Sequence, residues 1–168
     1  MTSPFDLYVT GLRNAHAMEN QALAIMRPQV DRIENYPEVA DRLQLHIDET
    51  EEQIARLEQL LDACGSDPSG IKDTMLGLGG SMAAIGHTVA PDEIVKNSFA
   101  NFAFEHYEIA AYMSLMALAD EGGVEEAADL LSRNLEEEIA MAEWLENQIE
   151  PLTMRFARLS AGGEDAKK

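Results

Sequence analysis

Apolar residues recur at alternating steps of three and four along long stretches of this 168-residue chain, a spacing that suits helices packed side by side and little else. Leu43, Ile47, Thr50, Ile54, Leu57 and Leu61 form one such stripe, and Leu131, Leu135, Glu138, Ala142, Leu145, Ile149 and Leu152 form another. No segment sustains the alternation of a half-buried strand, so the pattern predicts an all-α fold. Proline and glycine mark the helix ends. Ser3-Pro4 offers a polar cap followed by proline at the first helical position, starting a helix that should run to about Asn35, with Pro28 as a candidate kink. Tyr36-Pro37 separates it from a second helix over about 38–63, closed by Cys64-Gly65. A third helix is expected from Pro91-Asp92 to about Glu121, and after Gly122-Gly123 a fourth over about 124–159.

The second and third helices are joined by a glycine-rich connector, residues 65–91, in which Ile71, Met75, Leu78 and Met82 keep enough helical spacing for a short extra helix. Two short links flanking one long link are informative, because these helices are each roughly 40 Å long at 1.5 Å per residue. Only the long connector lets the third helix begin where the second began. The expected architecture is therefore an antiparallel four-helix bundle with one long crossover, the ferritin-like topology. It is read as one domain over residues 1–161, followed by a flexible tail, 162–168.

Charge narrows the partners. Lysine and arginine number 12 against 31 aspartates and glutamates, a formal net charge of −19. Such a surface repels nucleic acid and anionic lipid and attracts cations, so neither nucleic acid nor membrane is an expected partner. No apolar run approaches the roughly 18 residues of a membrane span. Cys64 is the only cysteine, and Met1 to Asp6 lacks the basic and apolar regions of a secretory signal, which fits a cytoplasmic location.

Function is carried by polar residues on the inner stripes. Glu19 sits among Leu12, Ala15, Ala22 and Met26; His46, Glu49 and Gln53 surround Thr50; Glu105 and Glu108 share the third helix; Glu138 lies mid-stripe on the fourth. Adding 88 to the second-helix stripe reproduces the fourth, and adding 89 to Glu19 lands on Glu108, so the chain reads as two equivalent hairpins. Four helices then bring carboxylates to a similar height. Their burial demands compensation, and one or two polyvalent cations provide it compactly. Carboxylates with sparse histidine suit iron or manganese better than structural zinc. The same shift maps Glu49 onto Glu137, which competes with Glu138 for the fourth-helix position. His16 is expected to orient Glu19, while His87 and His106 read as structural or exposed. No nucleophile triad, phosphate loop or nucleotide fingerprint is present.

The segments His16-Ala17-Met18-Glu19, His46-Ile47-Asp48-Glu49-Thr50 with Gln53, Glu105 to Tyr112, and Glu137-Glu138 followed by Met141-Ala142-Glu143-Trp144-Leu145 resemble the YciE/YciF family of ferritin-like stress proteins. The likeness extends from about residue 8 to 155. It implies a bacterial stress role, kinship with rubrerythrin-type di-iron proteins and a homodimer. The chain departs from the Glu-x-x-His pattern of those proteins, having His46-x-x-Glu49 on the second helix and Glu138-x-x-Met141 on the fourth. The expected ligands are Glu19, His46, Glu49, Glu105, Glu108 and Glu138, holding two metal ions, iron ahead of manganese. The expected activity is that of an oxidoreductase acting on oxygen or peroxide, as a ferroxidase or a peroxide-detoxifying enzyme, with Tyr107 or Tyr112 beside the site. The competing expectations are a non-catalytic dimer acting through a protein partner, and an iron-sequestering assembly.

Overall fold

A computed structural model describes residues 2–66 and 90–168. Helix α1 spans Pro4–Val30, α2 Pro37–Ala63, α3 Glu93–Glu121, and a 3-10 turn at Glu125–Ala127 leads into α4, Ala128–Gly162. Among the described residues there is no strand, so the all-α expectation holds. The short helix expected in the connector falls outside the described residues.

Local chemistry explains the boundaries. At the start of α1 the Ser3 side chain accepts from the Asp6 N–H, and the Asp6 carboxylate accepts from the Ser3 N–H at 2.9 Å, a reciprocal capping box ahead of Pro4. Pro28 lies in the last turn without breaking it, and α1 ends at Val30, short of the Asn35 expected. Residues 31–35 are diverted to other work: Arg32 reaches Glu93 at the start of α3, and the Asn35 N–H bonds the carbonyl of Lys168. Helices α2 and α3 both end in a Schellman turn. Gly65 and Gly123 take φ of +66° and +71°, a conformation costly for other residues, while Ser66 N–H bonds Leu61 C=O and Val124 N–H bonds Ala119 C=O.

Contacts between helices fix their directions. Arg27 pairs with Glu51 and Arg13 with Ser66, so α1 and α2 are antiparallel. Gln29 pairs with Asn101 and Glu19 with Tyr112, so α1 and α3 are antiparallel as well. Glu38 meets Arg155 and Arg56 meets Glu137, which opposes α2 to α4. Around the bundle the order is therefore α1, α2, α4, α3. The diagonal pair α2 and α3 run parallel, so their connection is the long crossover. Leu12, Leu43, Leu57, Leu61, Leu131, Met141 and Leu145 are fully buried at the centre. At Gly11 a Cβ would lie 2.8 Å from a Leu115 methyl, which marks the close approach of α1 to α3.

Gly163, at φ +74°, caps α4 and turns the chain back over the bundle end. There the Lys167 carbonyl accepts from Ile94 N–H at 2.9 Å, and the Ala166 carbonyl accepts from Tyr36 Oη at 2.7 Å. In this structure residues 163–168 lie against the bundle end. Asp92 supplies no side-chain cap to α3, and the tail's backbone satisfies an otherwise orphaned donor in its first turn. Removing residues 165–168 should lower stability by about 1–3 kcal/mol, the cost of stranding buried donors. An unchanged urea midpoint would refute that role.

Candidate metal centre

Each helix places at least one ionisable side chain in the core at mid-height. Glu19 on α1, His46 on α2, Glu105 and Glu108 on α3 and Glu138 on α4 are all at most 2% exposed. One ligand atom from each of His46, Glu105, Glu108 and Glu138 lies within 4.8 Å of the others. His46 Nε2 is 3.2 Å from Glu105 Oε2 and 3.4 Å from Glu138 Oε2. Glu19 belongs to the same electrostatic group, since the Glu138 charge acts on it directly.

Six carboxylate oxygens here are buried without a hydrogen bond, namely Glu19 Oε2, Glu105 Oε2, and both oxygens of Glu108 and of Glu138; two of them, Glu105 Oε2 and Glu138 Oε2, have the His46 contact alone. Native interiors seldom leave such acceptors orphaned, and ionised ones are the most expensive. Without a cation the group must hold protons instead. Burial, and then the charge of Glu138, hold the Glu19 and Glu108 carboxyls well above their ordinary range. Burial pushes Glu138 up to about 7 against the opposing pull of His46. Burial would depress the His46 imidazole, yet the Glu105 charge, the close Glu105 and Glu138 carboxylates and the bond to Glu49 outweigh it and raise the group well above its usual value.

Glu49 occupies a different place from the other candidates. Its Oε2 accepts from His46 Nδ1 at 2.8 Å and from Arg42 at 3.1 Å, and its side chain is a quarter exposed. Fixing Nδ1 in this way aims Nε2 at Glu105 and Glu138. Glu137 is taken by Arg56, whose two terminal nitrogens reach its two oxygens at 2.7 and 2.9 Å, and by Gln53 at 3.1 Å. The α4 position in the cluster is therefore Glu138. Thr50, the anomaly on the α2 stripe, bonds the His46 carbonyl four residues back.

His16 does not orient Glu19; its Nε2 pairs with Glu58 at 3.1 Å. His106 is exposed, edge-on to Phe102, and His87 lies outside the described residues. Tyr107 is half exposed and stacks on Phe104, whereas Tyr112 is fully buried and donates to Glu19 Oε1 at 2.5 Å. Arg56 and Asn134 had not been anticipated beside the site. Asn134 precedes Glu138 by one helical turn, a signal that the spacing did contain.

An oxygen-rich set with one imidazole fits hard or borderline cations such as iron and manganese, and no thiol is near; Cys64 caps α2 at its far end. The residues present therefore fit a metal ion, whose identity the donor set leaves open between those two.

A family described as a domain of unknown function, DUF892, matches residues 3–158. Protein YciF of Escherichia coli K12 is 27% identical over 142 residues, covering 80% of this chain and 83% of that protein. Among solved structures, a protein from Xanthomonas campestris pv. campestris superposes with a TM-score of 0.80 at 32% identity, covering 94% of this chain and 98% of that one. The E. coli stress protein YciF superposes with a TM-score of 0.74 at 26% identity, covering 89% and 96%.

Proposed function

The chain belongs to the DUF892 family, and we propose that it is a ferritin-like di-metal carboxylate protein, an oxidoreductase of the ferroxidase or peroxide-detoxifying type serving a stress response. The observation that carries this reading is the gathering of Glu105, Glu108 and Glu138 about one buried imidazole, with six carboxylate oxygens of these residues and Glu19 buried and not hydrogen-bonded. Glu19, Glu105, Glu108 and Glu138 together carry four negative charges when ionised, which two divalent ions would neutralise. When bound, iron or manganese would supply one-electron redox chemistry toward oxygen or peroxide. The protein's own part is to hold the five side chains rigidly on four helices, to exclude bulk water, and to give up to solvent the carboxyl protons that metal binding displaces. Glu49 keeps the His46 ring in place. The stress role is carried over from the E. coli relative YciF, a stress protein, and a cytoplasmic homodimer is part of the same proposal.

The test is elemental analysis of untagged protein from cells supplied with both iron and manganese. Wild type should carry near two metals per chain, Glu138→Ala almost none, and Glu49→Ala a reduced amount, since losing a partner that orients a ligand typically weakens metal binding by about 10–100-fold. No stoichiometric metal, even after reconstitution, would overturn the reading in favour of a non-catalytic bundle that acts through a protein partner.

A further inference from the structure

A line of buried polar side chains leads from Glu19 out of the metal centre, and the chemistry of its atoms gives it a direction. Arg56 is held by Glu137 through both terminal nitrogens and by Glu52 at 2.9 Å. A guanidinium only donates, so the Asn134 atom that Arg56 Nη1 meets at 2.7 Å is the carbonyl oxygen. That orientation turns Asn134 Nδ2 toward Tyr112 Oη at 2.9 Å and the Gln53 carbonyl at 3.4 Å. Tyr112 Oη thus accepts from Asn134, and its single proton goes to Glu19 Oε1 at 2.5 Å, within the range of short, strong O–H···O bonds. Flipping the Asn134 amide would set N–H against N–H at Arg56 and present an oxygen to the tyrosine, which could then release Glu19.

We propose that Arg56, Asn134 and Tyr112 form a one-way hydrogen-bond chain that occupies Glu19 Oε1 and leaves Oε2 as the single oxygen Glu19 offers a metal ion. The inference rests on the metal-binding reading of the centre. Glu19 Oε2 is buried and without a partner, as the assignment requires. Neither oxygen of Glu108 or of Glu138 is hydrogen-bonded, Glu138 Oε2 having only the His46 contact at 3.4 Å, so any role that needs two oxygens from one carboxylate falls to them. Tyr112 and Asn134 are positioning residues, acting through Glu19.

The test uses full-length protein and Co2+ alone, followed by visible absorption. Asn134→Asp keeps the acceptor for Arg56 but has no donor for Tyr112, which then turns its proton away from Glu19; Tyr112→Phe deletes the proton. Both variants should bind Co2+ about 10–100-fold more weakly, with an altered absorption band, while Tyr107→Phe behaves as wild type. If Tyr112→Phe does not fold, the near-isosteric Asn134→Asp decides. A purely structural role would lower stability without moving affinity or spectrum, and wild-type binding in folded variants overturns the proposal. Should wild type itself take up no Co2+, the metal reading falls, and the hydrogen-bond chain is judged by proton NMR of the metal-free protein. A protected, downfield Tyr112 hydroxyl proton, lost in Tyr112→Phe and moved in Asn134→Asp, would uphold the chain; its absence from wild type would overturn it.

Discussion

Glu138→Leu is expected to empty the metal centre and, in the same molecule, to make the metal-free bundle harder to unfold. The two effects have one cause. Glu138 is completely buried with neither oxygen hydrogen-bonded and only the His46 contact at 3.4 Å, on the apolar stripe between Leu135 and Ala142. Leucine is similar in volume and restores that stripe. Removing one member of a buried pair is costly only when it strands the other, and His46 keeps Glu105 at 3.2 Å and Glu49 at 2.8 Å, so losing the desolvation cost of Glu138 should raise the urea midpoint of metal-free protein. Its neighbour predicts the opposite. Glu137→Leu removes no ligand but takes from Arg56, which is only 7% exposed, the partner that holds both its terminal nitrogens, leaving it Glu52 and Asn134, and breaking such a pair costs about 3–5 kcal/mol. Two adjacent glutamates thus separate function from stability in opposite senses. Full metal content in Glu138→Leu, or a metal-free form clearly weaker than wild type, would show that Glu138 is not the strained ligand described.

That contrast also shows where reading along the chain reaches its limit. The bundle was legible because its determinants are local: stripes of period three to four, caps at Ser3 and Gly65, and short links on either side of one long one. The inward placement of Glu19, His46, Glu105, Glu108 and Glu138 was legible for the same reason, each standing in line with apolar neighbours on its own helix. Glu137 against Glu138 was not. The 88-residue repeat favoured the first and the stripe the second, and the choice was made by Arg56 on another helix, whose reach depends on the register between α2 and α4. His16 was misplaced likewise, because Glu58 across the α1–α2 interface captures it. Tyr112 could have been preferred to Tyr107 from its spacing of four after Glu108, which puts both on one face. The contacts of the tail were not legible for a different reason: besides the Lys167–Glu93 and Lys168–Glu34 pairs they run through backbone carbonyls, which carry no residue signature.

The metal-free protein should lose stability as pH rises through neutrality, contrary to the usual acid lability of an anionic protein. Burial raises the Glu19, Glu108 and Glu138 carboxyls in the folded state, the last to about 7, whereas an unfolded glutamate titrates near 4.5. A group whose folded pKa is raised contributes stability that is fully present below the unfolded value and lost as pH climbs through the folded one. For Glu138 alone, a rise from 4.5 to about 7 corresponds to roughly 3 kcal/mol at about 1.4 kcal/mol per unit. His46, raised on balance by its carboxylate neighbours, loses its contribution in the same direction. Two groups oppose this at the acid end. Glu93 is lowered chiefly by its hydrogen bond to Arg32; Glu49 is lowered by His46 and Arg42 despite the opposing effect of burial, and both contributions vanish as pH falls through their folded values. The metal-free bundle should therefore be most stable at mildly acid pH. Bound metal reverses the alkaline limb, because it takes the place of the protons and binds better as they leave. Urea midpoints measured from pH 5 to 9, with and without Mn2+, should diverge steadily above about pH 6.5. Parallel profiles would mean that water, not protons or metal, satisfies the buried carboxylates.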